Sequence, residues 1–329
     1  MILVRTPFRV SIAGGGSDVQ WFYRSKGQGK VLNMGIRRYM YIAIHPYLHP
    51  DFRNSRIRLK YSQTEDVGCL EEIKHPIIRE SLRRLDLPHG MEIASFADIP
   101  AGTGLGSSSS FTVGLLHGLY GWKGEQVERE RIAREACEIE IQDLKSPIGK
   151  QDQYAAAHGG VNVIHFNADE SVEVSPVGID DDRRAALEQS LRLYYLNNSR
   201  SANEILSRQN SANDVDKKYH TLSRMIEQVE QLQDIIQSGD IADIGPVLDE
   251  GWRMKKQLDK GIANSDVDML YEKAMRNGAT GGKLLGAGGT GFLLLQSKDH
   301  ARLEEALGCT SIPLEIDSHG SRILFNDYV

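Results

Sequence analysis

The sequence predicts an α+β fold in which strands and helices mix through the N-terminal half and a C-terminal half of helices closes on strands. Three observations carry this expectation. Short β-prone runs at residues 2–4, 9–13 and 40–44 are punctuated by glycine and proline, as strands and their turns are. From residue 204 to 270 the apolar positions recur at helical spacing instead, as Leu222, Met225, Ile226, Val229 and Leu232 do. A strand-like run returns at residues 291–296.

Between the first strands lies Gly14-Gly15-Gly16-Ser17-Asp18. Adjacent glycines reach backbone angles closed to other residues, so this segment is either a tight turn or a place where a ligand approaches the main chain. Residues 76–86 read as a helix through Ile77, Ile78, Leu82 and Leu85, and residues 91–96 as a strand leading into Asp98-Ile99-Pro100. Residues 111–120, with Val113, Leu115, Leu116 and Leu119, form a largely buried helix, and a long polar helix covers residues 125–144. A strand at 161–166 follows the turn His158-Gly159-Gly160. Asp180-Asp181-Asp182 reads as a solvated loop, because three consecutive carboxylates do not point one way. Gly239 and Gly245-Pro246 mark breaks between C-terminal helices.

The composition excludes several classes of partner. The 329 residues are 40% hydrophobic and 26% charged, enough for one large core or two modest ones. A formal charge of −6 gives no field for nucleic acid or an anionic membrane, so any nucleotide site is local. Cys69, Cys137 and Cys309 are widely spaced and form no C-x-x-C pair, which points to reduced thiols in the cytoplasm. No run approaches the ~18 apolar residues of a membrane span. Nothing in the N-terminal residues argues for export.

The most informative segment is Pro100-Ala101-Gly102-Thr103-Gly104-Leu105-Gly106-Ser107-Ser108-Ser109-Ser110, which runs straight into the apolar helix. Glycines let main-chain N–H groups turn toward an anion, and a helix N-terminus adds about half a positive charge. Polyphosphate is the natural guest. The Lys of a G-x-x-x-x-G-K-[ST] loop is absent, so this is a different cradle.

That segment resembles the second motif of the GHMP kinases, the superfamily of galactokinase, homoserine kinase, mevalonate kinase and phosphomevalonate kinase. Residues 5–18, beginning Arg5-Thr6-Pro7-Phe8-Arg9, resemble the first motif, and Lys283-Leu284-Leu285-Gly286-Ala287-Gly288-Gly289-Thr290-Gly291 the third. The resemblance implies a GHMP kinase fold. Its N-terminal ATP-binding domain, of the ribosomal protein S5 domain 2-like α/β type, would span 1–190, and a ferredoxin-like α+β domain 191–329. It implies ATP as phosphoryl donor and Mg²⁺ held by Ser108 and Glu140, with Glu138 the neighbouring alternative for the second ligand. Asp152, in Ile148-Gly149-Lys150-Gln151-Asp152-Gln153-Tyr154, matches the segment that supplies the catalytic Asp in galactokinase-like members. It would accept or orient the acceptor hydroxyl proton, and Arg9 would stabilise charge near the reacting oxygens.

Galactokinases usually carry G-E-H-T-D where this chain has Gly14-Gly15-Gly16-Ser17-Asp18, which disfavours galactose. The glycine segment, Ile148 to Gly160 and Asn198-Ser199-Arg200-Ser201-Ala202 more closely resemble the D-glycero-D-manno-heptose 7-phosphate kinases. The implied acceptor is a sugar phosphate, bound by Gly15, Gly16, Ser17 and Asp18. L-fucose kinases are the runner-up, and a non-catalytic sugar-phosphate-binding member is the third reading. A sugar phosphate needs a second cationic site, for which Lys150, Arg200, Lys30 and Arg37 or Arg38 are candidates. Lys283 either faces phosphate or ends a strand. The chain is expected to act as a monomer or homodimer.

Overall fold

The fold is that of a computed structural model, which describes residues 1–48, 56–87, 89–196, 215–259, 261–289 and 291–328. Its frame is a pair of long strands. β1 (Ile2–Ala13) and the 19-residue β2 (Gln28–Pro46) pair antiparallel along nearly their whole length. β2 is long enough to serve two further partners. Its C-terminal part pairs with β5 (Met91–Ala97) and its N-terminal part with β6 (Val161–Asn167). β3 (Ile57–Lys60) and β4 (Thr64–Val67) extend the sheet beyond β5, and β7 (Val172–Pro176) extends it beyond β6. The runs at 2–4 and 9–13 are therefore one strand, because Pro7 sits at a register shift between Pro7 and Phe8 instead of ending it.

Helices cover this sheet. In chain order they are α1 (Gln20–Lys26), α2 (Pro76–Arg84), α3 (Ser107–Trp122), α4 (Arg129–Cys137), α5 (Gln151–His158) and α6 (Asp181–Ser190). α3 lies unusually close to the strands. A Cβ at Gly114, Gly118 or Gly121 would come within 2.7 Å of Thr6 Oγ1, 2.9 Å of Ile44 Cδ1 and 2.8 Å of Ile323 Cδ1 respectively. These glycines follow the helical repeat, so one bare face sits on the sheet. The polar stretch after α3 is shorter than its sequence suggests, because α4 starts only after the cap residue Glu128 and passes into a π-helical turn, Glu138–Asp143.

The second sheet has the order β11-β8-β10-β9, all antiparallel, from β8 (Leu191–Leu196), β9 (Ala279–Leu284), β10 (Gly291–Ser297) and β11 (Ser311–Pro313). With it run α7 (Val215–Gln237), α8 (Ile244–Lys256), α9 (Ser265–Arg276) and α10 (His300–Leu307). Gly245-Pro246 opens α8 instead of breaking a helix, since a proline in the first turn gives up no intrahelical bond. The two sheets share one core, where Phe8, Val10 and Ile12 of β1 join Leu193 of β8, Leu294 of β10 and Val229 and Leu232 of α7. The end of the chain then returns to the first sheet as β12 (Arg322–Asn326), antiparallel to β1. Among the described residues no helix is long and apolar enough to cross a membrane.

Asp180-Asp181-Asp182 is not a loop. Asp180 caps α6, accepting from Arg183 N at 2.8 Å, and the next two carboxylates occupy the first turn, where the helix dipole favours them. Replacing Asp180 with alanine is expected to cost about 1 kcal/mol of stability, measured as a lower urea midpoint at unchanged slope. An unchanged midpoint would show that the cap contributes nothing.

Candidate active site

The glycine loop leads into α3 at Gly106, the N-cap, whose φ of 75° is in the left-handed region. Thr103 Oγ1 donates to Pro100 O at 3.1 Å and closes the loop. The first N–H groups of α3 have no intrahelical partners and are free to meet an anion. The loop is braced from behind by the third glycine segment. A Cβ on Gly104 would stand 2.7 Å from Leu285 O, and one on Gly286 would stand 2.5 Å from Gly104 Cα. Both residues also have positive φ. Two main chains touching at that distance leave room only for glycine.

Beneath the loop, Arg9 and Asp152 form a two-pronged ion pair, with Nε to Oδ1 at 2.7 Å and Nη2 to Oδ2 at 2.6 Å. Arg9 is 4% exposed, and its Nη1 donates to Gly104 O at 2.7 Å. Its backbone N–H donates to Leu105 O at 3.1 Å. Asp152 lies in the first turn of α5, a helix too short and too mixed for its periodicity to show in the sequence. The carboxylate of Asp18 is buried and accepts from Gly16 N at 3.0 Å, Gln151 N at 3.2 Å and Gln151 Nε2 at 3.3 Å. Burial, with the nearby Asp152 charge, raises its pKa.

The π-helical turn brings Glu140 under the start of α3. Ser108 Oγ donates to Glu140 Oε1 at 2.6 Å and Gln153 Nε2 to Oε2 at 2.7 Å. Burial raises the pKa of Glu140, a carboxylate with no basic partner among the described residues. A hard divalent cation fits this hydroxyl and carboxylate. Both are hard oxygen donors, of the kind Mg²⁺ takes alongside phosphate and water. Glu138 is turned elsewhere, paired with Arg84 at 2.5 Å.

Known proteins share both the sequence pattern and the fold. Residues 72–160 match the GHMP kinases N terminal domain and residues 225–309 the GHMP kinases C terminal domain. The chain belongs to the GHMP kinases. It is similar to the D-glycero-alpha-D-manno-heptose 7-phosphate kinase of Campylobacter jejuni, 28% identical over 89% of this chain and 88% of that protein. It is also similar to the bifunctional fucokinase/GDP-fucose pyrophosphorylase of Arabidopsis thaliana, 25% identical over 92% of this chain but only 30% of the plant protein. A crystal structure of a D-glycero-D-manno-heptose 1-phosphate kinase from Bacteroides thetaiotaomicron has the same fold, with a TM-score of 0.80 at 24% identity over 99% of both chains. The chain is accordingly a sugar kinase, a phosphotransferase with an α+β GHMP fold.

Within this GHMP site several expected contacts are corrected. Ser17 is fully buried, donating to Lys30 O at 2.8 Å and accepting from Lys30 N at 3.0 Å, so its hydroxyl ties the glycine turn to the start of β2 and is not left for a sugar. Ser110 Oγ is likewise spent on Pro7 O at 2.9 Å, and the Leu105 side chain is in the core. Lys150 is not a free cation: its ammonium meets Glu170 Oε2 at 2.5 Å. Lys30 is paired with Glu230 at 2.7 Å and Arg38 with Glu315 at 3.4 Å. Arg200 lies outside the described residues.

Two residues beside these acids escaped the sequence reading. Gln151 and Gln153 flank Asp152 and fix Asp18 and Glu140, and their position beside the acid was the available signal.

Glu170 gathers Lys150, Tyr23, Gln20 and Arg24, and although burial opposes them these bonds hold its pKa down to about 2. An unfolded Glu titrates near ~4.3, so the stability this cluster gives is present above that pH and is lost as pH falls toward 2. Glu170→Gln is expected to lower Tm at pH 7 and to melt closer to the unmodified chain at pH 2.5. Parallel Tm curves across this range would exclude the linkage.

Proposed function

We propose that this sugar kinase transfers the γ-phosphate of ATP to the C1 hydroxyl of D-glycero-D-manno-heptose 7-phosphate, giving heptose 1,7-bisphosphate. The observation that carries the reading is the Arg9–Asp152 pair held directly beneath the serine-rich N-terminus of α3. It sets an acid and a cation where an acceptor hydroxyl would meet a phosphate. Similarity to the Campylobacter jejuni heptose kinase over nearly the whole chain supports the choice of sugar.

In this reading the free N–H groups of Ser107, Ser108 and Ser109 bind phosphate oxygens, with Gly102, Gly104 and Gly106 shaping the loop. Ser108 and Glu140 would hold Mg²⁺, which when bound offsets phosphate charge. Asp152 accepts or orients the hydroxyl proton, and Arg9 holds that carboxylate in place while stabilising charge on the transferring group. Asp18 already accepts three bonds, and a carboxylate offers about four acceptor positions, so one remains for a sugar hydroxyl. Gly15 and Gly16 stand where galactokinase-like motifs carry side chains, and a Cβ here would come within 3.2 Å of Ser11 Oγ and 3.1 Å of Leu222 Cδ2 respectively. We place the domain boundary at 190/191, where α6 ends and β8 enters the second sheet, and the enzyme in the cytoplasm, where ATP is available.

Asp152→Asn is expected to lower turnover about 10²- to 10⁴-fold in a coupled ADP assay while ATP binding by isothermal titration stays within a few-fold. Wild-type-like turnover would remove Asp152 from the mechanism. A panel of heptose 7-phosphate, L-fucose, galactose and mevalonate tests the acceptor. The highest kcat/KM should fall on heptose 7-phosphate. The fucokinase likeness makes L-fucose the specific rival, and a preference for it would overturn the assignment.

A further inference from the structure

Two lysines of the C-terminal half point their ammonium groups at main-chain oxygens of the site. Lys283, near the end of β9, is 5% exposed and donates to Ile12 O at 3.0 Å. Lys255, in the last turn of α8, is part-buried and donates to Leu284 O at 3.2 Å and Gly286 O at 2.5 Å. Among the described residues neither forms an ion pair, whereas Lys30, Lys60, Lys150 and Lys256 each reach a carboxylate.

The acceptors show where these charges are. Ile12 belongs to the end of β1, three residues beyond Arg9 and just before the glycine segment that leads to Asp18. Gly286 packs on Gly104 of the phosphate loop, the residue whose carbonyl takes an Arg9 donor. Arg9 is neutralised by Asp152, but no carboxylate among the described residues meets either lysine. Dry surroundings, the Lys283 charge and Arg9 push the Lys255 ammonium well below its ordinary pKa, and burial with Arg9 brings Lys283 down to about 8. An ammonium has three donors, so one remains on Lys255 and two on Lys283 after the bonds above. Uncompensated buried charge is costly, and folds keep such costs where a ligand relieves them.

We propose that Lys255 and Lys283 together receive a phosphoryl group, giving their remaining hydrogen bonds to its oxygens and matching its two negative charges with two positive ones. The proposal rests on the kinase reading above, in which two groups have this chemistry: the phosphate the acceptor already carries and the terminal phosphate of the nucleotide. Either would lie between the third glycine segment and β1. Either would account for a pair of cations that no carboxylate among the described residues meets.

The test titrates the full chain and its Lys255→Met and Lys283→Met variants calorimetrically with Mg²⁺–AMPPNP and, separately, with D-glycero-D-manno-heptose 7-phosphate. Each substitution is expected to weaken one titrant roughly 10- to 100-fold, the loss typical of a buried charged hydrogen bond. Loss of the sugar phosphate assigns the pair to the acceptor, and loss of the nucleotide assigns it to the donor. Affinities within twofold of wild type for both titrants overturn the proposal, and with a lowered Tm they would leave the lysines as clamps on the glycine segment. If the variants do not fold, limited acetylation of the wild-type chain at pH 8, mapped by peptide mass spectrometry, takes their place. Protection of Lys255 by one titrant, relative to Lys256, supports the site, and protection by neither overturns it. Failure of the kinase reading would look different: the wild-type chain would form no ADP with any sugar of the panel, whatever the titrations gave.

Discussion

The site depends on one part-buried ion pair. Arg9 grips Asp152 with two bonds, Gly104 O with a third, and through its own backbone N–H reaches Leu105 O. One residue therefore fixes β1, α5 and the phosphate loop relative to each other. A pair whose cation is buried is a poor source of net stability, because desolvation cancels much of the attraction. Its worth is geometric. The two-pronged arrangement sets the plane of the Asp152 carboxylate, and the third bond fixes how far the loop stands above it.

Around that pair the charges are segregated. Asp18 and Glu140, both from the N-terminal half, are buried with raised pKa values and, among the described residues, no cationic partner. Lys255 and Lys283, both from the C-terminal half, are depressed and, among the described residues, meet carbonyls only. Dry surroundings disfavour the charged form of each group. A metal ion beside Glu140 and an anion beside the lysines would relieve both at once, so ligands complete the electrostatics that the protein alone leaves unbalanced. This is how a chain with a net charge of −6 can take anionic substrates, through a local field that its overall charge hides.

The sequence was legible wherever function constrains the backbone. The glycine loop, the strand before it and the buried helix after it all stand where their residues suggested, because glycine spacing and apolar periodicity are local properties. Asp152 pairs with Arg9 and Glu140 accepts from Ser108, while Glu138 is paired with Arg84. Partners of long charged side chains were not legible. Lys150 finds Glu170 twenty residues on, Lys30 finds Glu230 on α7, and Lys255 finds a carbonyl of the third glycine segment. Nothing in a local window distinguishes these lysines from solvated ones. Pro7 and Asp180 misled for a related reason: a bulge absorbed the proline, and a helix start gave the acidic run a use.

Donor and acceptor sides are built from different material, and this bears on how specificity is divided. The phosphate side is made of main-chain N–H groups, glycines and a helix N-terminus, which read charge and shape without reading identity. Such a site can persist while most side chains change. In the proposed reading the acceptor side would rely instead on side chains, Asp18 and the Gln151 that fixes it above all. Discrimination by such a site comes mainly from buried polar groups left unpaired by the wrong hydroxyl. The acceptor would then be selected at Asp18, and the phosphate loop would take no part in that choice.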